Sequence, residues 1–441
     1  MIGRFAALRS RHSPTTETVI TGGIAQLAIL VSGVLAARML GVEDRGRLAL
    51  FWVIGLVATQ IIMLGLPLAG TYWIARCAEN ARRFMRAIWV PAVLQAGLVT
   101  VVAASAVLLV FDDAGSDVEA AGLITVAALP FIVGQQYALA ILLGQHRYRT
   151  FNLCRVLPLA AYSLALVGLL LSGHDDLTEI ALCWAISAIV ASIATVAVTR
   201  AGLPSEEGAA EPLPRRRKML GFGLRGLLGS SSPSDTFQLD QAVVGLMISP
   251  AALGLYVVAV AFTNLPRLIS QNLGLVASPQ VAHERDGEDT WRAVWRFAAL
   301  SLALCGIVVA ALEALTGVLV PLLFGEEFSG AVSLTRILLL AALLAGIRRT
   351  LSDAVRGAGH PGAGAVAEAT AWVVLLPGLL VFAREGTRAV AVVMVGAALA
   401  GLLAMLVTAF RAQKGHGRPA GTAEIREPVL DAPESIALPQ R

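Results

Sequence analysis

The chain is short of charge. Of its 441 residues, 15% are Asp, Glu, Lys or Arg, where a soluble globular domain carries about 25%. Burial of an ordinary core does not explain a deficit of that size, and no stretch is long and polar enough to form a soluble domain. Lysine is nearly missing: Lys218 and Lys414 are the two in the chain, and the remaining cations are arginines, a bias of composition more than of function. The four cysteines, Cys77, Cys154, Cys183 and Cys305, are scattered without metal-ligand spacing. That excludes a disulfide framework and a zinc site. The six histidines form no cluster either, so no metal and no cofactor is expected. GxxxxGK[ST], HExxH and GxSxG are all missing, which excludes ATP hydrolysis within this chain. No large loop offers room for a polymerase or ligase site. The expectation is a protein that is not an enzyme and does not bind nucleic acid.

What is present in quantity is apolar sequence: 57% of the residues are hydrophobic and mean hydropathy is +0.75. A helix crossing the hydrocarbon needs about 20 mostly apolar residues. The apolar runs predict an all-α membrane protein of about twelve transmembrane helices. The first six lie near Thr18–Leu40, Ala49–Trp73, Ile88–Phe111, Ala121–Leu143, Leu153–Ser172 and Ile180–Val198. The second six lie near Leu220–Ile248, Leu253–Pro279, Ala298–Leu322, Val332–Val355, Ala363–Phe382 and Val390–Phe410. No small-residue cleavage site follows the first run, which therefore reads as a retained helix.

Arginines alternate from one side to the other. Arg76, Arg82, Arg83 and Arg86 follow the second run, Arg147, Arg149 and Arg155 the fourth, and Arg215, Arg216 and Arg217 the sixth. Acids gather between the other runs, as in Asp112, Asp113, Asp117 and Glu119. By the positive-inside rule both termini are cytoplasmic and the chain is a multi-pass protein of the cell membrane. Arg45, Arg47, Arg336, Arg384 and Arg388 are exceptions on the outer side. The expected organisation is a cytoplasmic tail (1–17), a six-helix lobe (18–199), a cytoplasmic connection (200–218), a second six-helix lobe (219–411) and a disordered cytoplasmic tail (412–441).

The halves repeat. Gly41 to Gly46 and Ser249 to Gly254 each place a glycine five residues after a small residue and then enter a long apolar helix. Leu64-Gly65-Leu66 matches Leu273-Gly274-Leu275, and Gly144 matches Gly357. With six helices per half, the repeats insert in the same orientation, and the substrate path of such proteins lies between the halves.

A charge at mid-membrane costs about 2.5–3.5 kcal/mol on insertion scales, so intramembrane charges need a reason. The seventh run is interrupted by Gly229-Ser230-Ser231-Ser232-Pro233-Ser234-Asp235, where proline removes a backbone donor. Arg225, Ser232, Thr236 and Asp240 share a face at helical spacing. Two readings stand: a broken helix lining a cavity, or a packed proline kink with Arg225 reaching the interface. The eighth run carries Asn264, Arg267 and Gln271 as a polar stripe beside Pro266. It reads as cavity lining or as a structural pair of Arg267 with Asp240 or Asp235. Arg348 and Arg349 either face a vestibule or cap the tenth helix. Glu313 and Glu368 read as lone acids that take up an ion or hydrogen-bond a neighbour; with Asp240 they are the ion-coupling candidates. Gln26, Gln60, Gln95, Gln135 and Gln136 read as interhelical hydrogen bonders.

Several segments resemble the bacterial polysaccharide flippases of the multidrug/oligosaccharidyl-lipid/polysaccharide exporter superfamily. Ala37-Arg38-Met39-Leu40-Gly41 with Gly46 resembles the family's first turn. Gln238-Leu239-Asp240, Ser249-Pro250, and Leu253-Gly254-Leu255-Tyr256 resemble its seventh and eighth helices. Pro321-Leu322-Leu323-Phe324-Gly325-Glu326-Glu327-Phe328 resembles the turn after its ninth. The resemblance implies two six-helix lobes in a V with alternating access. Its substrate would be an oligosaccharide on a polyprenyl diphosphate. Glycosyltransferases and a polysaccharide polymerase are the partners it implies, beside membrane lipid. A multidrug extruder of the same fold is the alternative reading.

Overall fold

The computed structural model describes residues 14–204, 213–230, 236–284 and 287–416. The expected tails, part of the connection between the halves, and Ser231 to Asp235 with Pro233 lie wholly or largely outside the described residues. The described chain is helical, with no strand among the described residues. In order the helices are α1 (Pro14–Met63), α2 (Leu66–Arg76), α3 (Asn80–Val110), α4 (Ser116–Ala127), α5 (Leu129–Gly144), α6 (Tyr148–Ser172), α7 (Leu177–Ala201), α8 (Arg216–Ser230), α9 (Leu239–Met247), α10 (Pro250–His283), α11 (Gly287–Phe324), α12 (Ala331–Gly357), α13 (Gly362–Phe382) and α14 (Thr387–His416).

Ten of the described helices or helix pairs are long and apolar enough to cross a membrane, against an expected twelve. Two local events account for the difference. First, α1 holds two spans joined at Gly41, whose backbone (φ 69°, ψ −175°) leaves the helix. Glycine takes this left-handed conformation without the Cβ penalty other residues meet. The two arms then run back along each other. Adjacent residues of α6 touch both: Ser163 Oγ donates to the Ala28 carbonyl at 3.1 Å, and Tyr162 packs edge-on against Trp52. Second, the described parts of the seventh span, α8 and α9, are each too short to cross alone. The second span also breaks, at Leu64 and Gly65, both with positive φ, and continues as α2. The fifth expected helix starts earlier than its apolar run, at Tyr148.

The two six-helix lobes meet where α1 crosses α10. A Cβ built on Gly46 would lie 1.7 Å from the Pro250 carbonyl oxygen, and one on Gly254 would lie 2.0 Å from that of Val42. The contact is reciprocal between the two positions that match in the internal repeat. Beside it, Arg38 of α1 donates to the carbonyls of Leu322 (2.5 Å) and Leu323 (2.7 Å) in the last turn of α11. Those carbonyls lack intrahelical partners and carry the negative end of the helix dipole, so a guanidinium satisfies both needs. Far along the second span, Gly65 and Gly223 make another backbone contact, which seats α8 against α2.

Candidate functional site

α2 and α8 flank a cleft. Tyr72 of α2 stacks on Phe222 of α8 with ring centroids 4.6 Å apart. The cleft, of about 600 Å³, opens beside this pair, lined by Leu68, Thr71, Tyr72, Phe222, Arg225 and Gly226. Its walls are apolar apart from Thr71, the Tyr72 hydroxyl and the Arg225 guanidinium. Arg225 is exposed, and its Nε donates to the Gly221 carbonyl of its own helix at 2.9 Å. A smaller cleft of about 260 Å³ lies between α2, α3 and α8, with Phe84, Pro91, Gln95, Arg216 and Met219 in its walls.

The polar stripe on α10 is half-buried: Asn264, Arg267 and Gln271 all lie at intermediate exposure. Pro266 and Ser270 beside it are buried. Thr350 Oγ1 of α12 donates to the Ser270 carbonyl (3.4 Å) and contacts Ser301 Oγ of α11 (3.0 Å), which fixes one side of α10. Arg225 and Arg348 do not share a site. Arg225 belongs to the cleft beside α2, while Arg348 is held between α12 and α13. Arg349 is exposed.

Neither Glu313 nor Glu368 is a lone acid, which corrects the reading from sequence. Glu313 Oε2 lies 3.8 Å from Arg336 Nε. Glu368 pairs with Arg348 in a contact where the side chains are 16% and 13% exposed. Nor do Arg348 and Arg349 cap a helix end, because α12 runs on to Gly357. Asp240 is buried and accepts a hydrogen bond from the Tyr256 hydroxyl at 3.0 Å. Asp235, the other expected partner of Arg267, lies outside the described residues. Arg45 and Arg47 are helical, not in a loop. Arg47 pairs with Glu43 (2.5 Å) and Asp44 (2.7 Å), and Arg45 turns inward.

Two of the glutamines bond between helices. Gln95 Nε2 donates to the Ile62 carbonyl and its Oε1 accepts from Tyr137. Gln135 bridges the Cys154 carbonyl, Thr195 and Ser192. The residues missed from sequence are the partners: Tyr256 for Asp240, Arg336 for Glu313, and Arg38 at the α11 terminus. Arg38 stood inside the quoted first-turn segment, but nothing in its spacing shows a partner far along the chain.

Solved structures share this helical arrangement. The lipid II flippase MurJ, in an inward closed conformation, superposes with a TM-score of 0.66 at 13% identity, covering 90% of this chain and 89% of that one. An inward-facing multidrug resistance MATE family transporter of the MOP superfamily gives 0.63 at 16% identity, covering 89% and 94%. A MOP superfamily transporter from Pyrococcus furiosus gives 0.61 at 15% identity, covering 93% and 98%. At these identities the likeness shows the fold alone, one that this chain shares with those transporters. No curated protein matches the chain. Residues 15–279 match the family of polysaccharide biosynthesis proteins, and the chain belongs to that family.

Proposed function

We propose that the chain is a flippase that moves an oligosaccharide linked to a polyprenyl diphosphate across the cell membrane by alternating access. The observation that carries this reading is Arg225 in an otherwise apolar cleft. A cation set among apolar walls between two membrane-spanning elements suits a ligand with an anionic head and a lipid tail. Guanidinium groups match phosphate oxygens in geometry as well as charge. The stripe of Asn264, Arg267 and Gln271 adds a cation flanked by two neutral hydrogen-bonding groups, which suits a glycan near a diphosphate. Arg348, which is paired with Glu368, and Arg349 are proposed as further cations of the path, apart from the Arg225 cleft.

Extrusion of cationic drugs is the second reading, and the acids weigh against it. Glu313 faces Arg336, Glu368 faces Arg348 and Asp240 is held by Tyr256. The family favours the glycan as well. The reading carries an orientation: both termini cytoplasmic, with Arg216 and the neighbouring basic loops on the side where a lipid-linked precursor is assembled. Glycosyltransferases and a polysaccharide polymerase are the partners proposed, and the protein acts as a carrier instead of a catalyst.

Deleting the gene is expected to leave the lipid-linked glycan in the inner leaflet and to abolish surface polysaccharide. Arg225→Ala and Arg267→Ala are each expected to reduce export by about tenfold or more, since a lost charged hydrogen bond is worth about 1.5–3 kcal/mol, while the protein still inserts. Normal surface glycan in the deletion strain, with new drug sensitivity, would replace this reading with drug extrusion. Normal export in both variants would remove the cavity assignment.

A further inference from the structure

The first lobe holds a buried cation that the transport reading does not use. Arg45 is 5% exposed. Its guanidinium lies over the Trp52 ring, 5.5 Å from the centroid. Tyr162, 3% exposed, packs edge-on against the same ring at 6.0 Å and couples electrostatically to Arg45. Trp184 closes another side of Trp52 at 5.8 Å. Four polar atoms in this cluster are buried without a hydrogen-bond partner: Arg45 Nε, Arg45 Nη1, Trp52 Nε1 and Tyr162 Oη. All four carry a hydrogen to donate.

Such a set is costly unless something accepts from it. A buried charge needs a counter-charge, and each orphaned donor adds its own desolvation penalty. The nearest acids in sequence are already engaged, because Glu43 and Asp44 both pair with Arg47. Glu179 of α7 contacts His174 through Oε1, while its Oε2 is buried without a hydrogen-bond partner of its own. An aromatic face softens the burial of a guanidinium but accepts none of its in-plane hydrogens. Donors from α1 and α6 grouped around one buried cation, with no acceptor hydrogen-bonded to them, are the chemistry of an anion site.

The geometry points to a small-anion site at the buried Arg45 and Tyr162 and the half-buried Trp52 of the first lobe, taking a halide such as chloride. The site is separate from the cleft at Arg225, and its burial excludes the diphosphate of a lipid-linked glycan. An anion held there cancels the Arg45 charge and ties the second arm of α1 to α6.

The test uses the full chain in detergent, with sodium chloride replaced by sodium gluconate at constant ionic strength. Chloride is expected to raise the melting temperature saturably, as a ligand of the native state does, and bromide to do the same. Arg45→Gln is expected to abolish that dependence. Tyr162→Phe keeps the shape and removes one donor, and is expected to weaken apparent chloride affinity by about tenfold. Bromide soaked into crystals is expected to give an anomalous peak beside the Arg45 guanidinium. Equal melting in chloride and gluconate would overturn the proposal, as would a chloride effect that survives Arg45→Gln. If Arg45→Gln does not fold, unchanged chloride affinity in both Tyr162→Phe and Trp52→Phe overturns it. Destabilisation by Glu179→Gln with no halide effect in the native protein would assign Arg45 to Glu179 and also overturn it.

Discussion

Arg348→Met is expected to destabilise the protein by about 3–5 kcal/mol, because it leaves the Glu368 carboxylate buried without its counter-charge. The two side chains are 13% and 16% exposed and bridge α12 to α13. In a transmembrane setting the unpaired acid has no easy route to water, so the variant either protonates Glu368 or separates the helices. The double variant Arg348→Met, Glu368→Leu is expected to recover most of the loss, since an apolar pair of similar volume replaces a buried ion pair at little net cost. Gly401 of α14 sits against Arg348, with a built Cβ 3.0 Å from Cδ. The straight methionine chain follows the same path without new crowding. Thermal unfolding of the three purified variants reads the stability. Transport by the double variant then decides what the pair is for. If stability and export both return, the pair is structural, and Glu368 does not couple an ion. If stability returns and export does not, the charge itself is used in the cycle.

The pair also shows what the amino-acid order could and could not reveal. Intramembrane charges were legible, because any Arg or Glu within an apolar run stands out against the cost of burying it. Their partners were not, because Arg348 and Glu368 lie in different helices, and so do Glu313 and Arg336. Periodicity reports which residues share a face of one helix and says nothing of the face opposite. Arg45 was misplaced for a related reason. Glu43, Asp44, Arg45 and Arg47 form a polar run next to a glycine, which reads as a loop. The helix instead continues through them and sends one of the four inward. The start of α6 was hidden likewise, since its first turns carry Arg149, Asn152 and Arg155 and fall below the hydropathy of a span. The twelve crossings survived these errors because apolar runs are set by the bilayer, whatever the packing. The proline among serines that reads as a break in the seventh run lies outside the described residues. The described irregularity before α9 is Gln238, with positive φ, and the seating of α8 against α2 depends on Gly65 and Gly223 meeting.

The glycine correspondence between the halves leads to the prediction with the widest consequence. Gly46→Ala and Gly254→Ala are each expected to abolish export and to separate the lobes where α1 crosses α10. An added methyl at Gly46 would sit 1.7 Å from the Pro250 carbonyl oxygen and 2.9 Å from the Gly254 nitrogen. Both are backbone atoms, so no side chain can swing aside and the helices themselves must move. Overpacking of this kind costs about 1–3 kcal/mol or more, and 1.4 kcal/mol is already a tenfold change in an equilibrium. The cost falls on this closed crossing alone, so an arrangement with the lobes apart gains population without any new contact. Spin labels on the exposed residues Glu43 and Glu326 should report a longer distance in either variant. Gly306→Ala, where a Cβ meets nothing within 4 Å, is the control. It is expected to be neutral, or to stabilise by about 0.5–1 kcal/mol as alanine does in a helix interior. A Gly46→Ala protein with native label distances and native export would show that the crossing yields without consequence. In that case the matching glycines would record only the chain's duplication and play no part in its transport cycle.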